Sequence, residues 1–261
     1  GSIVPFSRPG APNLPPPPSA PNGTHYVKVA MGGAHGVALR NDGAIEVWGG
    51  LGQFPPGIYR QAAATGGWAV ALRNDGRLFT LNNPVVPANV QQFFTEVDGG
   101  GGMVGAVTST GSVMFFGPNA AAFTQRTPGA GPWVRIAVGI NAGAVAGIRA
   151  DGSAAVWNGN GMLFGGPGPY RLIAGSDATF LALKRDGSLQ VLTPSSWGLE
   201  NLPTGTFIHI DVGINYALAI RGTGELVMWG NGAAGFDATR PRDPVRNASA
   251  ELTHLIGVAT D

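Results

Sequence analysis

The sequence contains no cysteine and few charged residues. The absence of cysteine excludes a disulfide framework, a zinc–thiolate site and a thiol nucleophile. Charged residues make up 12% of the chain, and 16 Lys and Arg face 15 Asp and Glu, so the net charge is +1. This balance argues against a nucleic-acid partner held by bulk positive charge. No apolar run approaches the ~18 residues of a membrane-spanning helix, so we expect no membrane span.

Glycine is abundant instead, at 43 of 261 residues, and proline contributes 21. The typical glycine content of a soluble protein is about 7%. Hydrophobic residues make up 44% of the chain, which is enough to form a core and argues against global disorder. The length suits one large all-β domain or two small domains.

A short phrase recurs along the chain: an apolar strand, a basic residue, a tight turn that ends in glycine, and a second apolar strand. Its clearest copies cover residues 37–48 and 70–79. An Asp-Gly pair between alternating apolar runs is a strong signal for a β-hairpin, in which we expect both turn residues to have positive φ.

Six turn glycines mark the repeat, with separations of 33, 35, 41, 35 and 37 residues: Gly43, Gly76, Gly111, Gly152, Gly187 and Gly224. Each interval has room for three or four short strands and ends in a loop rich in glycine or proline. About 37 residues is the size of one propeller blade. The repeat therefore predicts an all-β, seven-bladed β-propeller with blades of about 37 residues.

The seventh copy comes from the two ends of the chain. Residues 258–261, continued into residues 1–6, reproduce the phrase found at residues 148–157. We predict a single propeller domain over residues 1–261, whose seventh blade is shared between residues 245–261 and 1–25. Such closure removes two sheet edges. The proline-rich stretch 9–21 is then a loop of that blade, or else a flexible tail or a ligand for a proline-binding module.

The copy at residues 32–39, which begins Gly-Gly-Ala-His, is followed by Trp48-Gly49 and Gly52-Gln53-Phe54. This pattern resembles the repeat of the regulator of chromosome condensation family. The resemblance implies a seven-bladed propeller that acts as a nucleotide exchange factor, an enzyme inhibitor or a binding scaffold. The short blades are similar to the compact bacterial subgroup, which includes a beta-lactamase-inhibitory propeller whose binding face is rich in aromatics.

The positions eight residues before each turn glycine should be equivalent around the ring. We interpret them as a contact face around the central channel, with Trp68 and Tyr216 as the strongest candidates because both residue types are enriched at binding hot spots. The alternative is packing between blades. The candidate binding residues of this series are Trp68, Tyr216, Met103, His35 and His254.

A second aromatic series follows the third strand of the repeat, and Phe54 and Trp197 are its candidate binding residues. These side chains either fill the gap between adjacent blades or stack against sugars, because an aromatic face suffices to hold a pyranose ring. A glycan-binding, lectin-like propeller is therefore the alternative to a protein-binding one.

Catalytic residues are not evident. The four histidines do not pair at metal-ligand spacing, and Asp98 and Asp211, which share a repeat position, can meet only near the ring axis. We predict no enzyme, no metal and no cofactor.

The expected function is that of a non-enzymatic binding propeller: an adhesin, an inhibitor or a structural component of a secreted or particle-surface assembly. Another protein is the expected partner and a glycan is the alternative. Low charge and many small residues favour an extracellular or particle-surface location and leave the cytoplasm open.

Overall fold

The computed structural model describes most of the chain. The described ranges are residues 2–7, 15–82, 86–87, 90–129, 131–139, 141, 143–177, 179–194, 197–236, 243–250 and 254–260. The part of the proline-rich stretch at residues 9–14 lies outside them. No helix in the described ranges is long and apolar enough to cross a bilayer.

The described residues form seven small antiparallel sheets of three or four strands, which we number in chain order. Sheet 1 contains β2 (Tyr26–Met31), β3 (Gly36–Arg40) and β4 (Ile45–Trp48); sheet 2 contains β5 (Tyr59–Thr65), β6 (Trp68–Arg73) and β7 (Leu78–Leu81); sheet 3 contains β8 (Phe94–Gly100), β9 (Met103–Thr108) and β10 (Val113–Phe116).

The second half of the chain continues the pattern. Sheet 4 contains β11 (Trp133–Val138), β12 (Val145–Arg149), β13 (Ala154–Asn158) and β14 (Gly161–Gly166); sheet 5 contains β15 (Tyr170–Ser176), β16 (Thr179–Lys184) and β17 (Leu189–Val191); sheet 6 contains β18 (Phe207–Gly213), β19 (Tyr216–Arg221) and β20 (Leu226–Trp229); sheet 7 contains β21 (Val245–Ala250), β22 (His254–Ala259) and β1 (Ile3–Ser7). Helix α1 (Ala120–Gln125) follows β10, and a 3-10 turn, Ala233–Phe236, follows β20.

The first strands of the seven sheets form a ring. Each contacts the first strand of the next sheet, in the cyclic order β2, β5, β8, β11, β15, β18, β21 and back to β2. The seven sheets therefore surround a central channel, and each sheet extends outward from its first strand.

Strands from opposite ends of the sequence share sheet 7. Strand β1 pairs antiparallel with β22, so that Ile3 lies opposite Val258 and Phe6 lies opposite Leu255. The N–H of Ala259 also donates to the carbonyl of Ser2, at 3.0 Å. Every strand edge of β22 is consequently occupied, by β21 on one side and by β1 on the other.

The hairpin turn of each repeat differs from its prediction in one respect. In the first copy, Gly43 has φ +82°, whereas Asp42 does not have positive φ, so the expectation of two positive values is wrong. Three residues form the loop, because the N–H of Arg40 donates to the carbonyl of Ala44. The Asp42 carboxylate accepts the Ala44 N–H at 3.0 Å, which explains the aspartate without positive φ.

The turn glycine also joins neighbouring sheets. The carbonyl of Gly43 accepts the N–H of Tyr59, the first residue of sheet 2, at 2.7 Å, and the carbonyl of Gly111 accepts the N–H of Trp133 at 2.8 Å. A Cβ on Gly111 would lie 2.6 Å from Cβ of Pro132. Glycine is required here for its positive φ and for this close approach.

The core lies between neighbouring sheets. Most second strands are buried along almost their whole length. In six of the seven sheets, the first strand begins with a large aromatic residue that is buried: Tyr26, Tyr59, Phe94, Trp133, Tyr170 and Phe207. Two tryptophan indole N–H groups donate hydrogen bonds to carbonyls in the loop that follows the preceding sheet. Trp157 donates to the carbonyl of Phe123 at 3.3 Å and Trp229 to that of Leu199 at 3.1 Å.

Candidate functional site

The predicted contact series around the channel is packed inside the ring. Trp68 is 7% exposed, and Met103, Tyr216 and His35 are also buried. The His35 Nε2 lies 3.2 Å from the carbonyl oxygen of Trp68 in the next sheet, and burial lowers the pKa of the imidazole. These side chains join neighbouring sheets, as the packing alternative describes. The backbone of His254 pairs with Ser7 in sheet 7, and its side chain lies outside the described part of the structure.

The loop aromatics also pack between sheets. Phe54 is buried, with its ring centroid 5.9 Å from that of Tyr59, and Phe236 lies 4.9 Å from Tyr216. Trp197 is half-buried against the core between sheets 5 and 6. The structure therefore does not bring the predicted binding residues together on an exposed surface, and the buried phenylalanine rings have no free face for a sugar.

The central channel encloses about 230 Å³ and is lined by the first strands. Burial is the main cause that raises the pKa of Asp98 to about 7, with a smaller contribution from the charge of Asp211, and burial raises the pKa of Asp211 to about 6. The Asp98 carboxylate accepts the N–H of Val138 and the Asp211 carboxylate accepts the N–H of Ala250, both at 2.8 Å. The two carboxyl groups thus face a common space, as their shared repeat position predicts. Each accepts a backbone hydrogen bond from the first strand of the next sheet.

Other polar side chains of the channel wall make the same kind of bond. Asn247 accepts the N–H of Val29 at 2.9 Å, and Gln61 donates to the carbonyl of Val97 at 2.7 Å. In the described part of the chain, no group of three or more His, Asp or Glu side chains is arranged to hold a metal ion. The wall is consequently a set of sheet-to-sheet connections.

One flat side of the ring, which we call the turn face, carries the hairpin turns and the starts of the first strands. Among the described residues, four of the six exposed large apolar side chains lie there: Ile58, Phe93, Val134 and Ile208, each at least 44% exposed. The other two, Met162 and Leu163, lie on the outer strand β14. The four side chains of the turn face stand at the starts of four different first strands, β5, β8, β11 and β18, and so repeat around one face of the ring.

Two arginines at the ends of second strands on the turn face, Arg40 in sheet 1 and Arg73 in sheet 2, are neutralised. Arg40 contacts Asp42 at 2.6 Å and Glu46 at 2.7 Å, and Arg73 contacts Asp75. The hydrogen bond from Arg40 lowers the pKa of Asp42 to about 2. In this part of the face, the charge of each of these arginines is balanced by a neighbouring carboxylate.

The turn face is different at sheets 4 and 5. A depression of about 380 Å³ is lined by the exposed Val134, by Glu96 and by four arginines: Arg135, Arg149, Arg171 and Arg185. Arg135 contacts Glu96 at 2.7 Å. No carboxylate of a described residue lies within ion-pair distance of the other three guanidinium groups. We call this region the arginine depression.

Backbone contacts hold two of these arginines in place. The Arg149 guanidinium lies 4.2 Å above the Trp133 ring and donates to the carbonyl of Pro128 at 2.6 Å. Arg171 donates to the carbonyl of Phe207 at 2.7 Å. Carbonyl oxygens orient a guanidinium without neutralising it. Arg185 is exposed, and its side chain makes no hydrogen bond or ion pair with a described residue.

The nearby aspartates lie outside ion-pair distance of these arginines, although hydrogen bonds from Ser153 and, to a smaller extent, the charge of Arg149 lower the pKa of Asp151. Asp151 accepts the N–H of Ser153 at 2.8 Å, and Asp186 accepts the N–H and hydroxyl of Ser188 at 2.9 and 2.7 Å. Sequence reasoning recognised the basic residue of the repeat and missed this depression. The available signal was the third strand, where Ala155 stands at the position of Glu46 and cannot neutralise an arginine.

No protein-family model and no curated protein sequence matches the chain. Solved structures do. Human WBSCR16 has a TM-score of 0.75 at 14% identity, over 99% of this chain and 98% of that chain. Prp20p of Saccharomyces cerevisiae has a TM-score of 0.68 at 14% identity, over 89% and 82%. The CRINKLY WD40 ectodomain of the Arabidopsis thaliana receptor kinase ACR4 has a TM-score of 0.71 at 14% identity, over 91% and 93%.

The yeast protein Prp20, also called RCC1, matches again in its complex with Kap60, with a TM-score of 0.72 at 15% identity, over 90% of this chain and 81% of that chain. Identities of this size show the fold alone. The all-β sheet ring of this chain is therefore that of the propeller proteins, and its predicted likeness to the RCC1 family is confirmed at the level of the fold.

Proposed function

We propose that the chain is a seven-bladed β-propeller that binds another protein through its turn face and catalyses no reaction. The observation that carries this proposal is the group of exposed apolar side chains at the starts of the first strands. Aromatic side chains and arginine are enriched at protein-binding surfaces, and the turn face exposes Phe93 together with Arg77 and Arg185.

The structural relatives give a precedent. Prp20p is described with binding properties to Gsp1p and histones, and the same protein is solved with Kap60. An adhesin, an inhibitor or a structural component of a secreted or particle-surface assembly fits a ring that presents a broad face. We include in this proposal an extracellular location, which the composition favours, and membership of the compact bacterial subgroup, which the short blades favour.

The experiment compares two double variants of the full chain. Val134→Ser/Ile208→Ser removes two apolar side chains that are 44% and 45% exposed on the turn face, and Met162→Ser/Leu163→Ser removes two that are 61% and 48% exposed on β14. Each immobilised protein captures partners from an extract of its source organism, and captured proteins are quantified by mass spectrometry and rebound in purified form.

We expect the turn-face variant to lose a protein that the unchanged chain and the β14 variant retain. Equal capture by all three would refute binding through this face. A glycan array on the same proteins tests the alternative: binding of one sugar class that is lost in Trp197→Ala would replace the protein-binding proposal with the lectin-like one.

We also propose that residues 1–261 form one domain, with residues 245–261 and 1–25 sharing the seventh blade. The pairing of β1 with β22 supports this division. Deletion of residues 1–8 removes β1 and exposes an edge of β22, so it should lower the melting temperature of the whole ring by several degrees. An unchanged melting curve would contradict a shared blade.

A further inference from the structure

The arginine depression has the charge of a site for an acidic ligand. It contains four guanidinium groups and one carboxylate, and that carboxylate, of Glu96, is occupied by Arg135. Arg149, Arg171 and Arg185 have no carboxylate partner among the described residues. Elsewhere on the same face, Arg40, Arg73 and Arg221 each pair with an acidic residue of their own sheet. Arg60 of sheet 2 also donates to a backbone carbonyl, that of Phe94, and has no carboxylate partner among the described residues. Within the described part of the chain, however, three such guanidinium groups line one depression only at sheets 4 and 5.

The guanidinium groups are also preorganised. The Arg149 side chain is held by the Trp133 ring and the Pro128 carbonyl, and the Arg171 side chain by the Phe207 carbonyl. Ordering a free arginine on binding costs side-chain entropy, and a side chain that is already ordered avoids that cost. The guanidinium fork matches a carboxylate in two parallel hydrogen bonds.

We propose that the arginine depression binds a carboxylate-rich segment of the partner protein, an inference that rests on the proposed function and names the chemistry of its partner. The exposed Val134 lines the same depression, so an apolar side chain next to the carboxylates is the complementary sequence. A nucleic-acid duplex fits less well, because its evenly spaced phosphates need a longer basic track than one depression with four arginines supplies.

The probe is a fluorescein-labelled oligopeptide of alternating glutamate and leucine, and its glutamine-for-glutamate counterpart is the uncharged control. Binding to the full chain is followed by fluorescence anisotropy. Arg185→Glu is the principal variant, because this exposed side chain makes no contact on which folding depends. Arg77→Glu is the matched control: Arg77 is an exposed arginine of the same face, beside Asp75 at 3.9 Å.

We expect the glutamate peptide to bind and the glutamine peptide not to bind. Arg185→Glu should raise the Kd about fivefold or more, and Arg77→Glu by less than about twofold, because only the former faces the depression. Arg171→Gln, checked for folding by its melting curve, should also weaken binding. A photo-crosslinking version of the peptide should label residues 134–135 or 169–171.

Three results would overturn the proposal: no binding of the glutamate peptide, equal weakening by Arg185→Glu and Arg77→Glu, or tighter binding of a duplex DNA oligonucleotide at the same arginines. The proposed function fails separately. A partner captured through Val134 and Ile208 by both the unchanged chain and Arg185→Glu would uphold protein binding while removing the acidic segment from it.

Discussion

Sheet 1 and sheet 4 carry an arginine at the same place in the repeat, at the end of the second strand, and surround it differently. In sheet 1, Arg40 pairs with Asp42 and Glu46, and the Tyr26 hydroxyl donates to Glu46 at 2.6 Å. In sheet 4, Arg149 lies over Trp133, which replaces the tyrosine, and Ala155 replaces the glutamate. Sheet 4 keeps an aspartate, Asp151, at the position of Asp42, but this carboxylate lies outside ion-pair distance of Arg149, so the guanidinium has no carboxylate contact with a described residue.

Comparison of the two sheets distinguishes the residues that both repeats keep from the residues that vary between them. Both sheets keep the turn glycine and its hydrogen bond to the next sheet, at Gly43 and Gly152. Both keep a large buried ring at the start of the first strand. The residues that change are those that decide whether the arginine is neutralised, and they do not alter the course of the backbone. The two residues that distinguish the sheets, Trp133 and Ala155, are themselves buried, so the charge pattern of the turn face is set partly from within the core.

The largest expected effect removes the ring beneath Arg149. Trp133 is 2% exposed and lies 5.3 Å from Trp157, so Trp133→Ala should lower the free energy of unfolding by about 3–5 kcal/mol. Urea denaturation provides the measurement. A loss below about 1 kcal/mol would mean that sheet 4 does not depend on this ring, and the comparison with Tyr26 would lose its structural basis.

The turn glycines should behave alike in the two sheets. Gly43 has φ +82° and Gly152 has φ +86°, so alanine is strained at both positions. Gly43→Ala and Gly152→Ala should each cost about 1–2 kcal/mol of stability. Thermal or urea unfolding of both variants measures this. Costs that differ by more than about 1 kcal/mol would show that the two turns are not equivalent.

Acidification should remove the ion pair between Arg40 and Asp42 in sheet 1, and so make this arginine more like Arg149 of sheet 4. The hydrogen bond from Arg40 holds the pKa of Asp42 at about 2, below its ordinary value of 3.8. Because the folded-state pKa is depressed, the stabilisation from this pair is present above about pH 4 and is lost as the pH falls through about 2.

An NMR titration of the Asp42 side-chain carboxyl carbon should therefore have its midpoint near pH 2, and Arg40→Gln should move the midpoint upward. A midpoint that does not move in this variant would show that the pair is absent in solution.

The smallest expected change in stability is the most direct test of the comparison. In sheet 6, Arg221 pairs with Glu225 four residues later at 3.0 Å, and the matching residue for Arg149 is Ser153, whose hydroxyl lies 3.3 Å from the guanidinium. Ser153→Glu should neutralise Arg149 and change stability by less than about 0.5 kcal/mol.

The glutamate peptide should bind the Ser153→Glu variant about threefold more weakly. Ala44→Glu places the same charge at the same turn position in sheet 1 and serves as the control. Equal weakening in both variants would point to the overall charge of the face and away from the arginine depression.

Sequence reasoning reached the fold because its signals are local and repeated. The Asp-Gly turns and apolar strands recur at nearly constant spacing, so the sheets could be assigned one by one. Sequence reasoning did not identify the exposed surface. It assigned a binding role to aromatic residues such as Trp68 and Tyr216, and these large side chains are buried between the sheets of the ring. The arginine depression depends on the absence of a carboxylate at position 155, and an absent partner is visible only when the sheets are superimposed.

The pairing of β1 with β22 has a consequence for synthesis on the ribosome. Residues 3–7 are made before any other described strand, yet their hydrogen-bond partner, residues 254–258, is made after all the others. Until then β1 lacks its hydrogen-bond partner, and sheet 7 is incomplete. Such long-range pairing slows folding and leaves strand edges available for wrong partners. The proline-rich residues that follow β1 cannot donate ladder hydrogen bonds, which limits competing strand pairing during this interval.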